Sequence, residues 1–139
     1  MSTLSMRRQR GVTLLELLLV VSIVGIIAAI AYPSYRTHIL RSNRTEARVT
    51  LEQTAGALEK CYTRYMAYND TTNCPVAAQV NSGFNTTTGH YRITGALGAT
   101  TFTLTATAQS TGGQSADTAC ATLGLDQTGN RTGATTTCW

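Results

Sequence analysis

The stretch from Arg7 to Tyr35, RRQRGVTLLELLLVVSIVGIIAAIAYPSY, constrains this chain more than any other. Arg7, Arg8 and Arg10 lead into Gly11, and an apolar run follows that holds one acid, Glu16. From Leu17 to Tyr35 no residue carries a charge. Roughly 20 such residues are what an α-helix needs to cross the hydrocarbon of a bilayer. A carboxylate inside a membrane run costs about 2.5–3.5 kcal/mol on insertion scales, so a lone acid there calls for a partner. An ordinary signal anchor has no need of Glu16. A secretory signal peptide has a shorter apolar core and a small-residue cleavage site.

The sequence Gly11-Val12-Thr13-Leu14-Leu15-Glu16-Leu17 resembles the class III signal of type IV prepilins. The resemblance implies a basic leader cut after Gly11 by a prepilin peptidase and N-methylation of the new terminus, Val12. It also implies an assembly role for Glu16, four residues further on. Gly25 and Pro33 match the positions of the family's helix-weakening glycine and proline, which implies helix flexibility there. Val12 stands where phenylalanine is usual. At the other end, Ala119-Cys120-Ala121-Thr122-Leu123-Gly124-Leu125-Asp126-Gln127-Thr128-Gly129-Asn130 with the closing Cys138-Trp139 resembles the minor pilins of the PilE type. The fold so implied is α+β: a long N-terminal helix, membrane-spanning in its first half, packed by its second half on a small antiparallel sheet. The expected organisation is a leader over 1–11, a hydrophobic assembly helix over 12–40 and a globular head over 41–139.

Charge argues for little beyond this. Loss of Arg7, Arg8 and Arg10 leaves 8 of the 11 basic residues against 7 acids, so composition gives no case for nucleic acid. The arginines before the run fit a cytoplasmic N-terminus. Arg36, Arg41, Arg44 and Arg48 follow it, so the motif rather than the charge count sets the orientation. Cys61, Cys74, Cys120 and Cys138 are even in number and lack a C-x-x-C pair, which favours disulfides over zinc in an exported chain. Four cysteines allow three pairings. Cys61–Cys74 and Cys120–Cys138 each close a short local loop, and each such bond contributes about 3 kcal/mol.

Apolar Ala47, Leu51, Ala55, Leu58, Tyr62 and Tyr65 recur in steps of four and three, which predicts one buried helical stripe. The helix is expected from Val12 to about Ala67, ending at Tyr68-Asn69-Asp70. Residues 69–89 read as a polar loop. Strands are expected around Tyr91 and Ile93, from Phe102 to Ala108, from Ala121 to Leu125, and from Arg131 toward Cys138. Alternating threonines suit the wet face of an antiparallel sheet. Gly112-Gly113 and Thr128-Gly129-Asn130 supply turns.

No catalytic or metal site is implied, and no cofactor. His38 and His90 are the only histidines and neither belongs to a nucleophile or metal motif. Arg41, Arg44 and Arg48 fall within about 60° on a helical wheel. They read as inter-subunit or intrahelical partners of Glu46, Glu52 and Glu59; DNA contact by that stripe has no aromatic neighbours to support it. The resemblance implies a structural subunit of a bacterial type IV pilus, most like a minor pilin in assembly or priming, and hence in motility, adhesion or DNA uptake. Its partners would be membrane lipid, the inner-membrane assembly platform and other pilins through their N-terminal helices. It would sit in the inner membrane before assembly and in the extracellular fibre after it. The alternatives are a major pilin, a type II secretion pseudopilin and a membrane-anchored binding module that never assembles. No acidic cluster suggests the calcium site of the main pseudopilin.

Overall fold

The computed structural model describes residues 11–139, so the leader arginines lie outside the described residues. The first helix, α1, runs over Leu14–Tyr65 and contains Pro33. It starts two residues later than its sequence predicts because Thr13 caps it: the Thr13 Oγ accepts the Glu16 amide at 3.2 Å. This satisfies one of the amides that every helix N-terminus leaves open. The chain divides at Thr37/His38 into two units, and α1 contributes to both.

In the first unit every helical side chain is exposed, Leu14, Leu15 and Ile30 by more than 70 %. Ser22 and Thr37 turn their hydroxyls back onto the carbonyls of Leu19 and Pro33, at 2.7 and 3.1 Å. Such bonds hide polar groups within the helix itself, as an apolar surrounding requires.

In the second unit, α1 buries Ala47, Leu51, Thr54 and Leu58. The stripe is therefore narrower than predicted. Ala55 and Tyr62 are only partly buried, and Tyr65 is 43 % exposed. Thr54 takes a place on the buried face because its hydroxyl donates to the Thr50 carbonyl at 2.7 Å and needs no other partner. The helix ends at Met66, whose φ of 55° is left-handed. That conformation costs a non-glycine residue about 1–2 kcal/mol. It turns the chain so that Tyr68 re-enters the core. There Tyr68 stacks on Tyr62 at 4.5 Å, meets Phe102 edge-on at 5.0 Å and donates its hydroxyl to Glu59 at 2.7 Å.

The polar stretch 69–89 is not all loop. Helix α2 occupies Pro75–Ser82, with Cys74 at its N-cap, and strand β1 follows at Phe84–Asn85. Pro75 is suited to a first helical position because its missing amide is one that has no intrahelical partner anyway. Ala77 and Val80 are buried against the sheet. Gly95 makes that approach workable, since a Cβ there would meet Val80 Cγ1 at 2.5 Å.

The remaining strands are β2 (Tyr91–Leu97), β3 (Phe102–Ala108), β4 (Thr122–Asp126) and β5 (Arg131–Gly133). They form one antiparallel meander in the order β1-β2-β3-β4-β5. The register sets Ile93 against Ala106, Ala106 against Leu123, and Leu104 against Leu125. With Tyr91 and Phe102 these make the inner face, which packs with Leu51 and Leu58 into one core. Thr103, Thr105, Thr107 and Thr122 take the other face, as the period of two dictates. The last strand is shorter than predicted. After Gly133 the chain leaves the sheet and folds into a 3-10 turn at Thr136–Cys138, which carries Cys138 back to Cys120 in the core.

Candidate functional site

Two regions carry the chemistry of this chain: the uncovered start of α1 and the polar cluster that holds the head around the other half of that helix. At the start, Gly11, Val12 and Thr13 are exposed and non-helical, and Glu16 lies in the first turn. Thr13 and Glu16 have the spacing of a capping box, and an acid in the first turn also complements the helix dipole. Glu16 therefore has a local reason to be where it is. Its carboxylate nevertheless receives no hydrogen bond or ion pair from the other described residues. The apolar surface around it, from Val12 to Tyr35, is open along its length. Gly25 has open space around it, and the helix passes through Pro33 without interruption.

The cluster in the head was not foreseen from the sequence. Between β3 and β4 the chain forms 3-10 turns at Thr111–Ala116 and Thr118–Cys120, entered through left-handed Gly112 and Gly113. This segment brings Gln114 and Asp117 onto α1. Arg44 grips Asp117 with two hydrogen bonds, Nε to Oδ2 at 2.5 Å and Nη2 to Oδ1 at 2.6 Å. The bond to Asp117 raises the Arg44 pKa. Gln114 is fully buried. It accepts from Asn43 at 2.8 Å and donates to the Tyr91 hydroxyl at 3.0 Å. Tyr91 donates to the Cys120 carbonyl at 3.3 Å, and burial pushes its pKa up. No buried side-chain nitrogen or oxygen among the described residues lacks a partner. A network so completed fixes a single arrangement of the segment on the helix.

The intrahelical reading of the arginine stripe is accordingly corrected. Arg44 pairs with Asp117, not with a helix acid, and Arg48 donates to the Cys138 carbonyl at 2.8 Å. Arg48 and Glu52 do not form the ion pair that their spacing offers. Glu46 takes the Thr88 amide at 3.0 Å and also its hydroxyl; Glu52 takes Arg131 at 2.7 Å; Glu59 takes Tyr68. Glu46 and Glu52 are used by residues far along the chain and Glu59 by one just past the helix end, none of which helix spacing reveals. With Arg44 and Arg48 committed to the head, Arg41, Arg44 and Arg48 do not present an open basic stripe.

Cys61 is bonded to Cys74, tying the end of α1 to the start of α2, and Cys120 is bonded to Cys138. The C-terminal residues close over the second bond. Trp139 Nε1 donates to the Thr132 carbonyl at 2.7 Å, and Arg131 lies over the Trp139 ring at 5.1 Å while it pairs with Glu52. No group of three or more metal-ligating side chains occurs among the described residues. His90 Nδ1 is 3.0 Å from the Thr111 carbonyl, where the ring supports the turn.

A long helix, apolar and uncovered in its first half and wrapped in its second by a five-stranded meander with two disulfides, defines a membrane-helix subunit with a folded head. The family described as "Type IV minor pilin ComP, DNA uptake sequence receptor" matches residues 33–124, and the prokaryotic N-terminal methylation motif matches residues 6–32. The chain belongs to the type IV pilin family. It is 36 % identical over 77 residues to fimbrial protein EcpC of Eikenella corrodens, covering 55 % of this chain and 50 % of the relative. It is 37 % identical over 71 residues to the type IV major pilin protein PilE of Neisseria gonorrhoeae, covering 50 % and 42 %. With the type IV major fimbrial protein FimA of Dichelobacter nodosus the identity is 45 % over 53 residues, covering 38 % and 34 %. The chain spans half or less of the length of these relatives.

The protein is thus a structural pilin subunit and not an enzyme. The methylation motif implies processing by a prepilin peptidase. A pilin with this signal and this apolar helix is anchored in the membrane before assembly and lies in the extracellular pilus afterwards.

Proposed function

We propose that this chain is a low-abundance minor pilin, cut between Gly11 and Val12, methylated on Val12, and drawn into the fibre through Glu16. In this reading the leader is 1–11, the assembly helix 12–40 and the head 41–139. The observation that carries it is the Glu16 carboxylate, without a partner among the described residues, in the exposed apolar half of α1. One helical turn separates it from Val12, whose amine is freed by cleavage. A carboxylate in lipid is tolerated when paired, and the ammonium of an adjacent subunit is a partner at matching depth. Gly25 and Pro33 supply the places at which the helix yields in the fibre. The assembly platform receives the processed chain from the membrane.

The minor role is supported by the description of the matching family, which also favours DNA uptake among the outlets of motility, adhesion and DNA uptake. A major pilin is the second reading, favoured by the names of relatives from Neisseria gonorrhoeae and Dichelobacter nodosus. Any DNA contact belongs to cations other than Arg44 and Arg48, which are held within the head.

Quantitative mass spectrometry of sheared surface fibres tests this. The expected result is a methylated peptide starting at Val12, at a low ratio to another pilin. The same peptide as the dominant species makes the chain the major pilin. Chain retained in the membrane with its leader attached, and absent from fibres, overturns both. Glu16→Ala is expected to insert and be processed but to be lost from the fibre fraction.

A further inference from the structure

The two disulfides differ in what surrounds them. Cys120 and Cys138 are both fully buried, and Cys138 Sγ lies 3.2 Å from the Ala119 carbonyl under the C-terminal turn. Cys74 is also fully buried, but its partner Cys61 is not. Cys61 lines an open surface cavity of about 240 Å³ together with Lys60, Arg64, Tyr65, Asn73 and Pro75. Lys60 and Arg64 are one turn apart on α1, both exposed, and neither forms an ion pair among the described residues. The acids closest along the chain are engaged by neutral donors and not by these two cations: Glu59 accepts the Tyr68 hydroxyl, and Asp70 accepts the Thr72 amide and the amide and side chain of Asn73.

The geometry points to Cys61–Cys74 as a thiol-exchange site selective for small anionic thiols. The rate of exchange depends on access to the attacked sulfur, on the thiolate that attacks and on the thiolate that leaves. Access singles out Cys61. The Lys60 and Arg64 charges attract a thiol that carries a carboxylate or sulfonate, and they stabilise the negative charge that develops along the three sulfurs. The thiolate attacks Cys61 Sγ, and a mixed disulfide forms there. The Cys61–Cys74 bond breaks with its electron pair going to Cys74, which leaves as a thiolate at the N-cap of α2. A second thiolate then attacks the sulfur of the bound thiol, releasing Cys61 as a thiolate and the two small thiols as their disulfide. The protein gains two electrons and the two thiols lose them. Opening the bond unties α2 from α1, while Cys120–Cys138 keeps the sheet closed. This inference does not rest on the minor-pilin reading.

The test uses the full chain in detergent micelles without denaturant. It is exposed to 2-mercaptoethanesulfonate, 2-mercaptoethanol or cysteamine, each normalised for its thiolate fraction and for its rate with a small uncharged disulfide. Quenching by alkylation and peptide mapping then locate the opened bond. Cys61–Cys74 is expected to open at least about tenfold faster than Cys120–Cys138, with the transient adduct on Cys61, because buried sulfurs are shielded from attack. The sulfonate is expected to outpace cysteamine by about fivefold at low salt, an advantage that shrinks in 1 M salt as the charges are screened. Lys60→Gln with Arg64→Gln is expected to bring that ratio close to one while Cys61–Cys74 still opens first. Equal opening of the two bonds, an adduct on Cys74, or a sulfonate preference untouched by both salt and the double variant would overturn the assignment. The salt series on the unmodified chain decides the matter if the double variant fails to fold.

Discussion

The two halves of α1 are one helix in two environments. From Leu14 to Thr37 it is exposed on all sides, and between Glu16 and Arg36 it carries no charge on any face. From His38 to Tyr65 it is amphipathic, with four buried residues against a sheet and charged side chains elsewhere. A helix hydrophobic all round has no preferred face and takes its partners from the surrounding medium or from copies of itself. An amphipathic helix is held by whatever covers its stripe. The difference shows that helical propensity fixes only the backbone here. What each half does follows from where its apolar groups sit around the axis.

The sharpest way to break the comparison is at the polar clamp of the second half. Asp117→Ala leaves Arg44 largely buried with no counter-charge. Urea unfolding of the full chain in micelles is expected to show a loss of about 3–5 kcal/mol in the head, as for other buried pairs stripped of one partner. A loss under 1 kcal/mol would mean that the 3-10 segment is held by packing alone.

Leu51→Ala comes next. Leu51 is fully buried, so the head is expected to lose about 3 kcal/mol. Leu18→Ala, 59 % exposed in the other half, is expected to leave the same transition within about 0.5 kcal/mol. Similar losses from both would show that the first half also supports the head.

Thr13→Ala probes how the first half begins. Loss of the cap is expected to weaken the first turn by about 1 kcal/mol. Faster hydrogen exchange at the Glu16 and Leu17 amides, with no change in the head, is the signature. Unchanged exchange would leave Thr13 without the capping role.

The smallest effect at neutral pH is at Tyr68. Burial, then the bond to Glu59, pushes its pKa up to about 12 from 10.0. The protonated hydroxyl is thus favoured in the folded head. Its contribution is complete below about pH 10 and disappears as the pH rises toward about 12. Tyr68→Phe is expected to lose less stability than the unmodified chain between those limits. Parallel pH curves would remove Tyr68 from the alkaline transition.

Much of this was legible in the residues. The Arg7–Tyr35 stretch announces its helix because length and apolarity alone decide it. The alternation in Phe102–Ala108 announces its strand and its wet face of threonines. Helix α2 was also marked, by Cys74-Pro75 at its start, Ala77 and Val80 three apart, and Gly83 at its end, but polar neighbours hid the short period. The Thr13 cap, at the Thr13-x-x-Glu16 spacing, stood in plain view within the signal motif. The end of α1 was legible to within two residues from Tyr68-Asn69-Asp70; the left-handed turn at Met66 was not, because methionine does not advertise one.

The sequence by itself determined the uncovered helix, the order of strands and the supply of two pairs of cysteines, because these depend on local period and composition. Only the tertiary structure decided which acid meets which base. Arg44 with Asp117, Arg131 with Glu52 and Glu46 with Thr88 are brought together by the meander closing over α1. Tertiary packing likewise decided that one disulfide is enclosed and the other opens beside two cations. Charge pairing acts through space over a few ångströms. Sequence spacing predicts those distances within one helix and loses them once the chain turns.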